Sequence, residues 1–319
     1  MSLRPLGQTG ILVSRLGFGA APLGGGYGPV GAREATRAVH AALDAGWNFF
    51  DTAPLYGRGL SEERLGSALR GVARESCVLA SKAGRTADGF DFSAKAVTRS
   101  VEESLRRLRA DYLDLVQCHD VEHADHAQII GETLPALLRL RQAGKVRAVG
   151  VTAYPLRAIR GLMDATGLGC VLSHSRHTLH DTALAGLLPD LLARGLGVIN
   201  AAPFAMGLLT AAGPPPWHPA SAELRAAARE AAALCARHGT SLADFALHSA
   251  LEHAELALCL VGISSAEEVR AAQRCLAAPP DAALLAQVRA LFAGVKTRTW
   301  PSGRAENDDP ASSPWLHSS

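Results

Sequence analysis

Short apolar runs and helix-like segments alternate along almost the whole chain. The runs read as buried strands: Arg15–Gly19, Trp47–Phe50, Val78–Lys82, Tyr112–His119, Val146–Val151, Cys170–Ser173, Gly197–Asn200 and Leu258–Val261. Helical patterns fill the gaps, among them 32–45, 61–70, 93–109, 156–165, 182–194, 222–237 and 241–252. A strand followed by a helix, repeated in this way, builds a parallel sheet. The 319 residues fit one large barrel or two modest domains, and eight strand–helix units favour a single closed (β/α)8 barrel. Residues 3–6 and 11–13 read as an N-terminal β-hairpin closed by Gln8-Thr9-Gly10. The barrel domain is expected to cover 1–303. The Ser-, Pro- and Asp-rich residues 304–319 read as a disordered tail.

In a (β/α)8 barrel the site lies where the strands end at their C-termini. Four chemically capable residues fall there. Phe49-Phe50 runs into Asp51-Thr52-Ala53-Pro54-Leu55-Tyr56-Gly57, a loop bent by Pro54 and Gly57. The third strand ends at Lys82 and the fourth at His119. A tyrosine exchanges a proton readily only if its pKa is brought down from about 10, and a nearby ammonium is the natural agent. Each residue alone has a plainer reading: Asp51 with Lys82 as an inter-strand ion pair, Tyr56 as a rim aromatic. Their convergence at three strand ends favours a catalytic group.

With these residues in view, the chain resembles the aldo-keto reductase superfamily, from Gly17-Phe18-Gly19 to about Ser265. The matching words are Asp51–Gly57 with Ser61-Glu62, then Ser81-Lys82. Ser104-Leu105-Arg106-Arg107-Leu108 follows, running into Asp111–Leu115 and His119, and after it Gly144–Arg147 with Gly150-Val151. Cys118-His119-Asp120, Asn200–Pro203, Met206–Thr210, Pro215–Pro219 and Thr299–Gly303 look most like the NAD-linked L-galactose dehydrogenase subgroup and its bacterial sugar dehydrogenase relatives.

The resemblance implies an oxidoreductase moving a hydride between a nicotinamide and an aldose, with a lactone as product. It implies Tyr56 as acid/base, Lys82 as the cation beside it, Asp51 as the anchor of Lys82 and His119 as the group orienting the substrate oxygen. Cofactor contacts carried over from the family fall on Ala20, Ala21, Asp51, Thr152, Ser173, Ala202, Phe204, Met206, Gly207, Gly262, Ser264 and Glu268. Thr152-Ala153 and Ser173-His174 stand where the family has Ser-Asn and Gln, and Ala201 replaces its stacking aromatic. The helix opened by Gly262–Ser265 is expected to turn its N-terminus toward a phosphate. Glu268 would accept the ribose 2′-hydroxyl and repel a 2′-phosphate, which implies NAD rather than NADP, with Arg270 on another helix face. Trp300, on a C-terminal loop crossing the mouth, would offer an apolar face to the sugar. An NADPH-linked aldehyde or ketone reductase and a pyridoxal-type dehydrogenase are the alternatives within the class. A non-catalytic nucleotide-sensing subunit is the remote one.

Other features read more plainly. Gly26-Tyr27-Gly28-Pro29-Val30-Gly31 spells a dinucleotide fingerprint, but it does not follow its strand directly, and Pro29 lacks an N–H that a phosphate cradle would use. It reads as a flexible glycine loop. His119, His123 and His126 invite a metal reading, as in a metal-dependent barrel hydrolase, but the His-x-His pair such barrels carry after the first strand is replaced by Gly19-Ala20-Ala21-Pro22. No metal is expected. His123 and His126 read as solvated, and His174, His177 and His180 as loop or pocket-rim groups. A formal charge of +2 points to neither nucleic acid nor a membrane surface. The six cysteines form no Cys-x-x-Cys pair, and no signal-like h-region opens the chain, so the expected setting is the reducing cytoplasm. The partner is a small molecule. Nothing in the sequence speaks to the oligomeric state.

Overall fold

The computed structural model describes residues 3–310. Eight parallel strands close into a barrel: β1 (Leu16–Gly19), β2 (Phe49–Asp51), β3 (Val78–Ala83), β4 (Leu113–Cys118), β5 (Val146–Ala153), β6 (Cys170–His174), β7 (Gly197–Ala201) and β8 (Leu258–Gly262). Neighbours in sequence are neighbours in space, and β8 pairs with β1. The helices that pack outside include α1 (Ala32–Asp44), α2 (Leu60–Ala68), α3 (Ala94–Leu108), α4 (Leu134–Gln142), α5 (Leu156–Leu162), α6 (Leu188–Ala193), α7 (Ala222–Arg237), α8 (Leu242–Ala250), α9 (Ala266–Ala277) and α10 (Ala282–Leu291). None is long and apolar enough to cross a membrane.

Strand side chains alternate between the two faces of the sheet. One set, including Phe49, Val78, Ala80, Leu115, Ala148, Cys170, Leu172, Ile199 and Leu258, fills the barrel's interior. The alternate set, including Phe18, Phe50, Leu79, Val116, Val149, Val171 and Val198, packs against the helices. Gly17 lies on the inner face because the interior is full there: a Cβ would meet Leu258 at 2.7 Å and Phe49 at 3.1 Å.

The expected hairpin forms, as Arg4–Pro5 against Leu12–Val13. Leu6, Ile11 and Val13 join the interior cluster and plug the N-terminal end of the barrel. That end is therefore closed, and only the opposite end can hold a site.

The chain does not loosen at Gly303. Arg304 N donates to Glu122 O at 2.9 Å, and the buried Asn307 donates its amide to Glu122 O and Ala124 O at 3.0 and 2.9 Å. The Asp309 carboxylate accepts from Leu156 N and Arg157 N, at 3.1 and 2.8 Å, at the open N-terminus of α5, and pairs with the buried Arg176. The composition of 304–310 suggested disorder; backbone and helix-end partners override it. Residues 311–319 lie outside the described part.

Candidate active site

The alternation that fills the barrel also delivers its chemistry. Phe49 and Asp51 lie two apart on β2, and Val78, Ala80 and Lys82 are spaced by two on β3. Leu115, Gln117 and His119 continue the same spacing on and just beyond β4. Apolar members occupy the interior and polar members cap it. Lys82 pairs in register with Gln117, and Asp51 with Ala80.

The Lys82 ammonium meets the Asp51 carboxylate in a buried ion pair and donates to Thr52 O at 2.9 Å. Gln117 donates to the other Asp51 oxygen at 3.1 Å. The ammonium lies 4.9 Å from the centre of the Tyr56 ring, and His119 meets that ring edge-on at 5.8 Å. The structure thus brings together the four residues expected from sequence. Gly57 holds the Tyr56 loop in place: its φ is +63°, and a Cβ on either Gly57 or Gly24 would collide with the other's backbone.

Charges follow from this packing. Burial would lower the Lys82 pKa, but Asp51 and Tyr56 outweigh it and keep the ammonium above its usual value. Burial pushes the Tyr56 phenol up, and Lys82 is the strongest influence pulling it down. Burial drives His119 down to about 3, so its imidazole is neutral and can donate one N–H.

These groups stand at the end of a cleft of about 700 Å³ whose walls include Gly19, Ala21, Leu55, Leu172, Ala201 and Leu260. Of the residues expected to hold a cofactor, Ala21, Asp51, Thr152, Ala202, Phe204, Met206, Gly207, Gly262, Ser264 and Glu268 line it. In the loop after β7, Ala202, Ala205 and Met206 have φ of 54°, 45° and 52°. Left-handed non-glycine residues cost on the order of 1 kcal/mol each, and here they stand on the cleft wall at Ala202 and Met206. His218 braces it, with Nε2 2.9 Å from Ala205 O.

Several expectations change. Ala20 is not on the cleft wall; its N–H goes to Asp51 O at 2.8 Å, and its carbonyl accepts the Ser61 hydroxyl at 2.7 Å. Ser173 is fully buried and absent from the cleft, because the alternation of β6 turns Leu172 and His174 inward and Ser173 toward the helices. Thr152 reaches the cleft, but its hydroxyl accepts from Asp120 N at 2.8 Å and donates to Asp120 Oδ1 at 3.1 Å. The first turn of α9 does not offer free N–H groups. Glu268 accepts from Ser264 N at 2.6 Å and Ser265 N at 3.3 Å in a capping box, and Glu34 of α1 accepts from Ala266 N at 3.4 Å. Arg270 does face away as expected, onto Glu267.

Trp300 is not a wall of the cleft. It stacks on Tyr154 at 4.6 Å, and Tyr154 in turn packs on His174. The indole that reaches the cleft is Trp217, from the Pro-rich loop; it meets Tyr27 edge-on at 5.7 Å across the mouth. The loop 26–30 thus lines the cleft even though it is no phosphate fingerprint. His177 and His180 are buried rather than on the rim, while His123 stacks on Phe90 at 4.2 Å.

His174 lines the cleft, in keeping with its pocket-rim reading; Arg85 and Asp120 also line it, and sequence reasoning gave those two no role there. A polar residue just past a strand end was the available signal for each.

The comparisons agree with this geometry. The L-galactose dehydrogenase of Arabidopsis thaliana is 44% identical over 316 residues, 96% of this chain and 99% of that protein. The pyridoxal 4-dehydrogenase of Microbacterium luteolum is 31% identical over 84% of this chain and 90% of its own length. The solved holo form of aldo-keto reductase AKR11C1 from Bacillus halodurans superposes with a TM-score of 0.75 at 29% identity, covering 92% of this chain and 96% of that one. The model of the Aldo/keto reductase family matches residues 15–292, from the first barrel strand to beyond the last, and the chain belongs to that family.

Proposed function

We propose that this protein is an NAD-dependent aldose dehydrogenase, oxidising the anomeric carbon of an L-galactose-like sugar to a lactone. One observation carries the reading: an ammonium fixed between a carboxylate and a phenol, in front of a neutral imidazole, at the polar end of a deep cleft. A nicotinamide bound in the cleft supplies the hydride acceptor. The loop 202–207 and the left-handed turns within it fit a bound dinucleotide.

Tyr56 takes the proton of the anomeric hydroxyl. Lys82 favours the phenolate by its charge, and Asp51 with Gln117 keeps Lys82 from swinging away. His119 donates its single N–H to the same sugar oxygen and orients it. Since burial keeps His119 neutral, it positions the oxygen without competing for the proton.

The preference for NAD rests on α9. Two carboxylates, Glu268 and Glu34, occupy the N–H groups of Ser264, Ser265 and Ala266 at its start. A 2′-phosphate placed there would meet both negative charges, whereas a ribose hydroxyl could donate to either. The six buried free thiols are in keeping with a reducing, cytoplasmic setting.

The test is absorbance of reduced nicotinamide with a panel of aldoses, pyridoxal and simple aldehydes, each with both cofactors. Aldose oxidation with NAD+ is expected. Turnover of pyridoxal alone would replace the sugar reading, and preference for NADP+ would overturn the cofactor reading. Tyr56→Phe should cut kcat by about 10²–10⁴ while dinucleotide binding survives. A variant retaining a tenth of the wild-type rate would remove Tyr56 from the chemistry.

A further inference from the structure

Asp120 follows His119 directly, in a left-handed conformation with φ of 56° and ψ of 61°. The twist sends its carboxylate back into the cleft, where 8% of the side chain remains exposed. Burial works against its charge, but charge on the groups around it, the Arg85 guanidinium among them, holds it below the usual carboxylate range. Oδ1 accepts from Thr152, and Oδ2 pairs with Arg85. Arg85 is itself steadied over the Phe90 ring at 5.1 Å. Oδ2 also lies 3.7 Å from His119 Nε2, the nitrogen beside the cleft.

A buried ion pair facing a binding cleft is costly unless the ligand completes its hydrogen bonds. A carboxylate has about four lone-pair sites, so Asp120 keeps acceptor capacity beyond Thr152 and Arg85. What it lacks is a donor. Arg85 has the complementary need, with spare N–H groups and no acceptor of its own. A hydroxyl both donates and accepts, and so satisfies both. Its place is also defined. His119 Nε2 and Asp120 Oδ2 are 3.7 Å apart, close enough for one to hold the reacting oxygen while the other holds a second oxygen about 3 Å from it. Two oxygens on adjacent carbons of a sugar ring have that separation.

Building on the aldose reading above, we infer that Asp120 and Arg85 form a subsite for the hydroxyl on the carbon next to the one oxidised, the 2-hydroxyl of an aldose. The pair selects 1,2-diols. A substrate without that hydroxyl leaves the buried Asp120 carboxylate facing apolar C–H groups, and sites built around a hydroxyl discriminate strongly against analogues that lack it.

The experiment compares kcat/KM for L-galactose and 2-deoxy-L-galactose with NAD+, in the wild type and in Asp120→Asn and Asp120→Gly. Both replacements tolerate the left-handed backbone, so the turn is kept. The wild type should favour L-galactose by about 10²-fold or more. In both variants that ratio should drop below about ten, chiefly because L-galactose turnover falls. A wild-type ratio near one overturns the subsite while leaving aldose oxidation standing. A variant that loses activity equally on both sugars shows that Asp120 only supports the fold around His119, and also overturns it. Failure to oxidise either sugar removes the aldose reading and the subsite together.

Discussion

Ser81 donates its hydroxyl to Glu62 at 2.7 Å, from the face of β3 opposite the neighbouring Lys82. Glu62 is fully buried, and its other oxygen accepts from Arg107 of α3 at 2.6 Å. Three of the sequence words, Ser61-Glu62, Ser81-Lys82 and the Ser104–Leu108 segment, are therefore one polar bolt joining α2, β3 and α3. It fixes the register of β3, and through it the position of the Lys82 ammonium on the other side.

Glu62→Ala should lower stability by about 3 kcal/mol, because it strands a guanidinium that is largely buried. Urea unfolding would measure this. A loss below about 1 kcal/mol would show that Glu103, 3.5 Å from the same arginine, suffices alone.

Lys82→Met removes the cation that pulls the Tyr56 pKa down. The phenol should then ionise at higher pH, and residual oxidation should climb at more alkaline pH than in the wild type. A pH–rate profile of kcat/KM is the check. An unshifted profile at normal rate would make Lys82 a structural residue only.

Trp217 and Trp300 exchange the importance their sequence positions suggested. Trp217→Ala opens the mouth beside Tyr27 and should raise KM at least several-fold. Trp300→Ala removes the stack on Tyr154 and the edge contact with His218, away from the cleft wall, and should act mainly on stability, by about 0.5–1.5 kcal/mol per aromatic pair. A larger KM effect from Trp300 would put its indole back against the substrate.

Acid should unfold this protein through its buried histidines. Burial takes His119 to about 3 and His177 and His180 to about 4, from an ordinary 6.5. The unfolded chain then binds more protons than the folded one in that interval. Stability is fully present above pH 6.5 and is lost as pH falls toward 4. Glu122, pushed up to about 8 by burial and by Asp120, acts in the opposite sense between its ordinary 4.5 and 8, while His123, His126, His174 and His218, also lowered by burial, add to the histidine side. Calorimetric Tm should therefore fall from pH 6.5 to 4, and less steeply in His177→Leu. Identical slopes would take His177 out of the account.

The barrel and three of the four central residues were legible because both follow from one periodicity; Tyr56 was legible from the loop word it stands in. Alternation along a strand sorts core from shell, and the same count of two lands Asp51, Lys82 and His119 inward at the open end. Ser173 shows the limit: matching the family's words placed it in the site, while counting along β6 would have put Leu172 and His174 there. Trp217, Trp300 and the Arg85–Asp120 pair depend on where separate loops meet, and no local spacing encodes that. The blocked first turn of α9 was half legible, since Ser265 and Glu268 spell a capping box, but Glu34 arrives from α1, on the far side of the barrel's closure.

Residues 304–310 have a bearing on how the chain acquires its shape. Asn307 and Asp309 reach Glu122, α5 and Arg176, groups made far earlier in synthesis. Until those residues are made, the N-terminus of α5 lacks its cap, and the buried Arg176 has Asp181 but not its second carboxylate. The segment packed under Tyr154 can settle only after residue 309 has been made, so a chain ending at Gly303, with every barrel strand present, would still carry an unfinished support for the site.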